Sequence, residues 1–354
     1  MSPIRKAAIF ALITGACLVL VEGLSSVVLA LFQVLRPTPT EASRYDETIG
    51  WVGLPDADVP DMYGSGKYVR TNSRGFRNER ETEVAVRDGK LRVLCSGNSF
   101  TYGQGVANHR TWCHRLSELD ARLETVNLAQ PGYGVDQMYL RYLRDGTVLD
   151  HSIHIFAFVH GDLNRMARLE QNGYGKPVLA LDGGELVPDN VPVPRLRWSI
   201  RRAAERADLR AVELGRRVLA RVRPGKARAT AMIEEVGPIA AEVFRAVREL
   251  AERHDVVPVF VYLPTEGDLE EVSRWRGWLA ETMGRLEAPF VDLAPDLRGQ
   301  PAASASSFFI PPPEPGAGHY SEAGNAWVAD LLFDRMIDLP RVRGRIEDRD
   351  GLTP

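Results

Sequence analysis

The chain has 354 residues, with 44 Lys and Arg against 47 Asp and Glu, and a formal net charge of −3. That length allows one large domain or two small ones, and the charge balance argues against nucleic acid or an acidic macromolecule as a partner. Three cysteines without a CxxC motif, and no His/Cys/carboxylate cluster at metal spacing, give no reason to expect a metal or any other cofactor.

Ala7 to Leu35 is almost wholly apolar, broken chiefly by Glu22. As a helix it would run roughly 43 Å, enough to cross a bilayer with tilt. Arg5 and Lys6 precede it and favour a cytoplasmic N-terminus. A single-pass anchor in the cytoplasmic membrane is therefore expected, with the remainder on the periplasmic or extracytoplasmic side. A cleavable signal peptide ending near Ala30 is the competing reading, and the apolar run continuing through Leu35 weighs against it. Pro37 and Pro39 stop this helix.

Residues 37–90 read as a linker followed by a turn-rich extension, with short strands at Ile49–Pro55 and Tyr68–Arg77 packed on the domain that follows. The domain proper spans 91–337. Leu91–Cys95 is a buried strand running into Ser96-Gly97-Asn98-Ser99, and a helix is expected over Thr111–Leu123. Thr125–Ala129 is a second strand, Val135–Gly146 a second helix, and His154–Val159 a third strand. A hairpin follows around Asp182-Gly183. A helix over Thr230–Arg253, a strand at Val256–Leu263, a helix over Leu269–Leu286, a strand at Pro289–Leu293 and a last helix capped by Ser321 complete the order. Strands alternating with helices imply a parallel sheet covered on both faces. The rhythm is interrupted at about 170–229 by an insertion whose Arg195–Arg228 stretch carries 12 Arg or Lys. A solvated charged face accounts for that stretch, and contact with anionic lipid beside the anchor is its sharper reading. Residues 338–354 read as a loose polar tail. Cys95 and Cys113 are expected to be buried free thiols, a disulfide being the alternative in an oxidising compartment.

Polar groups gather where strands end. Ser99 follows the first strand, Gly132 the second, Asp162 and Asn164 the third, and His319 lies in the loop before the last helix. Ligands of open parallel sheets bind beyond the carboxyl ends of the strands. A serine hydroxyl becomes a good nucleophile when a histidine takes its proton, and the oxyanion that follows needs fixed N–H donors. The segments Gly97-Asn-Ser-Phe-Thr-Tyr-Gly-Gln-Gly, Asn127-Leu-Ala-Gln-Pro-Gly-Tyr-Gly and Gly318-His-Tyr-Ser-Glu-Ala-Gly-Asn together resemble the blocks of the SGNH, or GDSL-type, hydrolases. Thr71-Asn-Ser-Arg-Gly-Phe-Arg is similar to the segment that precedes the first block in membrane-anchored bacterial members.

The resemblance implies a flavodoxin-like three-layer α/β sandwich, its central parallel sheet of about five strands, behind one N-terminal transmembrane helix. It implies Ser99 as nucleophile, His319 as base, and Ser99, Gly132 and Asn164 around the oxyanion, with Gly134 competing for the place of Gly132. Three departures stand out. Asn98 replaces the usual Asp, a change expected to matter little, and the third block reads His160-Gly-Asp-Leu-Asn, so that either Gly161 replaces the oxyanion Asn or Asn164 serves from a shifted position. The carboxylate that should precede His319 by two or three residues is replaced by Gly316 and Ala317, leaving Glu314 or a backbone carbonyl to orient the ring. The expected activity is that of a serine esterase acting on acyl esters of a glycan or lipid. The alternatives are an O-acyltransferase on the same fold and a binding or accessory protein whose site has decayed.

Overall fold

The computed structural model describes residues 2–34, 41–171, 174–194 and 225–350. Helix α1 (Pro3–Val34) is a single long helix, and none of the apolar window that would span a bilayer is buried by the rest of the chain. Length and apolarity are compatible with a single-pass anchor or a signal sequence.

The domain is built on strands β1 (Leu91–Ser96), β2 (Leu123–Asn127), β3 (Ile153–Phe158), β4 (Val257–Tyr262) and β5 (Phe290–Asp292). All neighbours pair in parallel, in the spatial order β2-β1-β3-β4-β5. This is the flavodoxin-like doubly wound order, in which the chain reverses direction across the sheet between β1 and β3. Every residue of β1 through β4 is buried, as expected of a sheet covered on both sides.

The connections are helical. Helix α2 (Ser99–Tyr102) leaves β1 and α3 (Trp112–Leu119) leads to β2. Helices α4 (Val135–Arg141) and α5 (His160–Arg165) follow β2 and β3, and α6 (Gly225–Arg253) and α7 (Arg274–Arg285) flank β4. After β5 come two short helical turns, then α8 (Glu322–Ile337) and α9 (Pro340–Asp350). Alternate strand residues face opposite layers. Val93, Ile155 and Val259 pack with Trp112, Leu116, Val328, Leu332 and Met336 of α3 and α8. Phe156, Phe158, Phe260 and Tyr262 pack with Met138, Phe244 and Leu279 on the other face.

Three sequence expectations change. The tail is not loose: α9 places Val342 and Ile346 in the core, a short apolar pair hidden among charges. Cys95 and Cys113 form a disulfide rather than standing as free thiols. Cys95 lies near the end of β1 and Cys113 in the first turn of α3, which packs against that sheet face, so the bridge closes the stretch carrying Ser99. The loop before the last helix, in which His319 was placed, also contains a helix at Ala302–Ser307. The 41–90 extension packs on the domain through Ile49, Trp51, Val69 and Phe76, all buried. The hairpin is present, Val178–Asp182 against Glu185–Asp189, with Gly183 and Gly184 both at positive φ as its turn requires. Most of the basic stretch, 195–224, lies outside the described residues.

Candidate active site

The turn after β1 sets the serine. Asn98 takes the N-cap position of α2, its backbone extended and its Oδ1 accepting from the Phe100 N–H at 2.8 Å. Ser99 is thereby the first helical residue, 5% exposed. The Asn98 amide nitrogen lies 2.7 Å from each carboxylate oxygen of Asp162. Asp162 sits in the first turn of α5, fully buried, where it also accepts from the Val159 N–H at 2.9 Å and pairs with Arg165. Burial raises its carboxyl above the ordinary value, against the pull of Arg165. Arg165 reaches the loop after β2, donating to the Tyr133 carbonyl at 3.0 Å. The Gln130 N–H donates to the Gly97 carbonyl, and Trp51 donates to the Pro131 carbonyl at 3.0 Å. The loops after β1, β2 and β3 are thus tied to one another and to the N-terminal extension.

His319 comes from the opposite end of the chain. Its Nε2 lies 2.8 Å from Ser99 Oγ across a sequence separation of 220 residues. Its Nδ1 faces the Gly316 carbonyl at 3.0 Å. A carbonyl only accepts, so Nδ1 carries the proton and Nε2 is left free to accept from the serine hydroxyl. Burial lowers the His319 pKa below its usual 6.5, partly offset by bonds to the Gly316 and Ala317 backbone. The ring is therefore neutral at neutral pH. The Phe100 ring packs against it, centroids 4.9 Å apart. Glu314, expected as an alternative orienting acid, points elsewhere: it is half exposed and 3.7 Å from Lys67 Nζ.

The other expected residues divide. Gly132 lies in the loop after β2 at φ +85°, a conformation other residues resist. Among the described residues, neither its N–H nor that of Ser99 donates to a protein acceptor. Gly134, its competitor, is committed: its N–H donates to Gln137 Oε1 at 3.3 Å. Asn164 lies in α5 at the same sheet edge, its Oδ1 accepting from Trp275 Nε1 at 3.0 Å, which leaves the amide nitrogen as its unused donor. His154 is buried against Ser96 and stacked on Tyr142, and His160 makes a long 3.5 Å approach to Tyr262, so neither is drawn to Ser99. A cavity of about 420 Å³ lies on the other side of the His319 loop, bordered by Lys67, Val106, Phe309, Pro311, Glu314 and Glu322 rather than by Ser99.

Sequence reading missed the Asn98–Asp162–Arg165 network. Its signal was present: a polar Asn directly before the serine, and an Asp and an Arg three residues apart at the start of a helix.

Fold and site together define a doubly wound α/β domain with a serine–histidine pair at the carboxyl edge of its sheet. No family model matches the chain, and no curated protein does. Solved structures do. They include a member of the lipolytic protein G-D-S-L family from Veillonella parvula, 12% identical, with 71% of this chain and 98% of that one covered and a TM-score of 0.38. A lipase/acylhydrolase from Enterococcus faecalis is 12% identical over 70% of this chain and 95% of its own, with a TM-score of 0.36. A psychrotrophic esterase from Pseudoalteromonas sp. is 10% identical over 70% and 98%, with a TM-score of 0.39. The fold assignment stands on the strand order itself.

Proposed function

We propose that this chain is a membrane-anchored serine esterase that works outside the cytoplasm through a Ser99 acyl-enzyme. The observation that carries the reading is the 2.8 Å contact between Ser99 Oγ and the neutral, Nδ1-protonated His319. In the first step Ser99 Oγ bonds to the ester carbonyl carbon and its proton passes to His319 Nε2. The carbonyl oxygen becomes an oxyanion, for which the Ser99 and Gly132 N–H groups and the Asn164 amide are the donors. Collapse breaks the bond to the alkoxide, which leaves with the proton from His319. Water then repeats the sequence against the acyl-enzyme, releasing the acid and restoring the serine.

Among the described residues no carboxylate meets the His319 ring to stabilise the imidazolium formed on the way; the Gly316 carbonyl offers only its dipole. A slower enzyme than one with a full triad follows. The substrate class we assign is an acyl ester on a glycan or lipid, reached beside the membrane that residues 7–35 occupy, with 195–228 as a contact for anionic lipid. Location outside the cytoplasm has independent support in the Cys95–Cys113 disulfide, since such bonds persist in oxidising compartments.

The test is turnover of p-nitrophenyl acyl esters by the full chain in detergent, beside Ser99→Ala and His319→Ala. The reading expects wild-type hydrolysis that both substitutions abolish. Wild type that is folded but inert would point to an accessory protein. Acyl appearing on an added sugar faster than in water would point to a transferase.

A further inference from the structure

Arg77 is the last residue of the Thr71–Arg77 segment, only 3% exposed, and among the described residues no carboxylate pairs with it. A buried cation without a counter-charge is tolerated only when its donors are satisfied. Here one short stretch of chain takes four hydrogen bonds from it. Nη1 donates to the Tyr102 carbonyl at 2.5 Å and the Gly103 carbonyl at 2.8 Å, Nη2 to the Val106 carbonyl at 2.6 Å, and Nε to Asn108 Oδ1 at 2.9 Å. The guanidinium also lies over the Tyr102 ring, 4.6 Å from its centroid. Every acceptor lies in 102–108, the loop that leaves the nucleophile helix.

That loop touches the histidine loop, backbone against backbone. Gly105 has φ +101° and Gly316 has φ +89°. A Cβ on Gly316 would stand 2.7 Å from Gly105 Cα, and one on Gly105 would stand 2.3 Å from the Ile310 side chain. Gly316 supplies the carbonyl that faces His319 Nδ1.

We propose that Arg77, acting through Gly105 and Gly316, is the positioning residue that holds the Gly316 carbonyl against His319. The cation pins the 102–106 loop, that loop backs the Gly316 peptide, and the peptide fixes the tautomer and tilt of the imidazole. The task of orientation that a carboxylate performs in a full triad is thus distributed over backbone braced by a buried arginine. This rests on the esterase reading for its kinetic consequence, and its structural consequence can be read without activity.

The test is the side-chain ¹⁵N–¹H spectrum of selectively labelled histidine in the full chain in detergent, with His319 assigned by His319→Gln. In the wild type we expect one neutral form, protonated at Nδ1. Arg77→Gln is expected to mix the two tautomers and to lower kcat about 10- to 100-fold with KM within about threefold, the scale of a small misplacement of a reacting group. Arg77→Lys should fall between the two. Val342→Ala, a core truncation in α9, controls for lost stability and should leave tautomer and kcat alone. If Arg77→Gln fails to fold, Gly105→Ala carries the same expectation. A His319 that keeps the single Nδ1–H form in both variants would overturn the proposal, as would kcat equal to that of wild type. Failure of the esterase reading would appear separately, as a wild type without turnover, and the tautomer spectrum would then decide the proposal by itself.

Discussion

The two sides of the Ser99–His319 contact are held in opposite ways. The serine side is fixed by side chains: buried Asn98 on buried Asp162, Asp162 on half-buried Arg165, Arg165 on the Tyr133 carbonyl. The histidine side is fixed by backbone: His319 N–H and Nδ1 both meet the Gly316 carbonyl, the Ile310 N–H meets the His319 carbonyl, and the Gly318 N–H meets the Ile310 carbonyl. A side-chain network couples position to charge, so a change of charge should break it. A backbone frame is sensitive to glycine conformation and to what braces it, here Arg77 through Gly105. Where no carboxylate meets the ring, the second kind of frame can still set a tautomer.

The largest expected effects remove the contact itself. Ser99→Ala and His319→Ala should each lower ester turnover by more than about 10³-fold, the scale seen when a nucleophile or its base is removed. Equal turnover in either variant would separate the contact from the chemistry.

The serine side breaks next. Asn98→Asp writes the family's usual residue, yet it puts a carboxylate where the Asn98 amide now meets both oxygens of buried Asp162. We expect a loss of about 2–4 kcal/mol in stability, measured by denaturant unfolding, with partial recovery in Asn98→Asp/Asp162→Asn. The expectation that Asn98 makes the turn bonds of the usual Asp agrees with its Oδ1 accepting from the Phe100 N–H, and its contact with Asp162 lay outside that reading.

The histidine side should show itself in pH. His319 must be neutral to take the serine proton, and burial lowers its pKa below 6.5. The acid limb of kcat/KM should therefore fall with a midpoint below 6.5. A midpoint above it would mean that a carboxylate acts on the ring after all.

The smallest effects test the backbone frame. A carboxylate could reach Nδ1 only by displacing the Gly316 carbonyl that already accepts from it, so Ala317→Asp, which writes the spacing usual in SGNH hydrolases, should change kcat by less than about threefold, and Glu314→Gln less still. A larger gain with Ala317→Asp would show that the carbonyl orients the ring poorly.

Much of this was legible in the sequence. Apolar strand runs and helical spacing pointed to the five strands, and Ser99, Gly132 and His319 were singled out because each stands at a strand end or loop in a recognisable block. What escaped depended on distance in space. Nothing local shows that Cys113 faces Cys95, that Asn98 meets Asp162, or that the Arg77 guanidinium makes four hydrogen bonds to residues 102–108. Glu314 was attractive by spacing alone, and the turn at Gly316 swings it toward Lys67. The short apolar pair Val342 and Ile346 was masked by the charges around it.

The central claim is that Ser99 is a nucleophile activated by His319 without a carboxylate. It is tested most directly by exposing the full chain in detergent to a fluorophosphonate and reading intact mass and peptide map. The account predicts one adduct per chain, on Ser99, lost in Ser99→Ala and strongly slowed in His319→Ala but not in Glu314→Gln. A folded wild type that gains no adduct, or gains it at another residue, would contradict it.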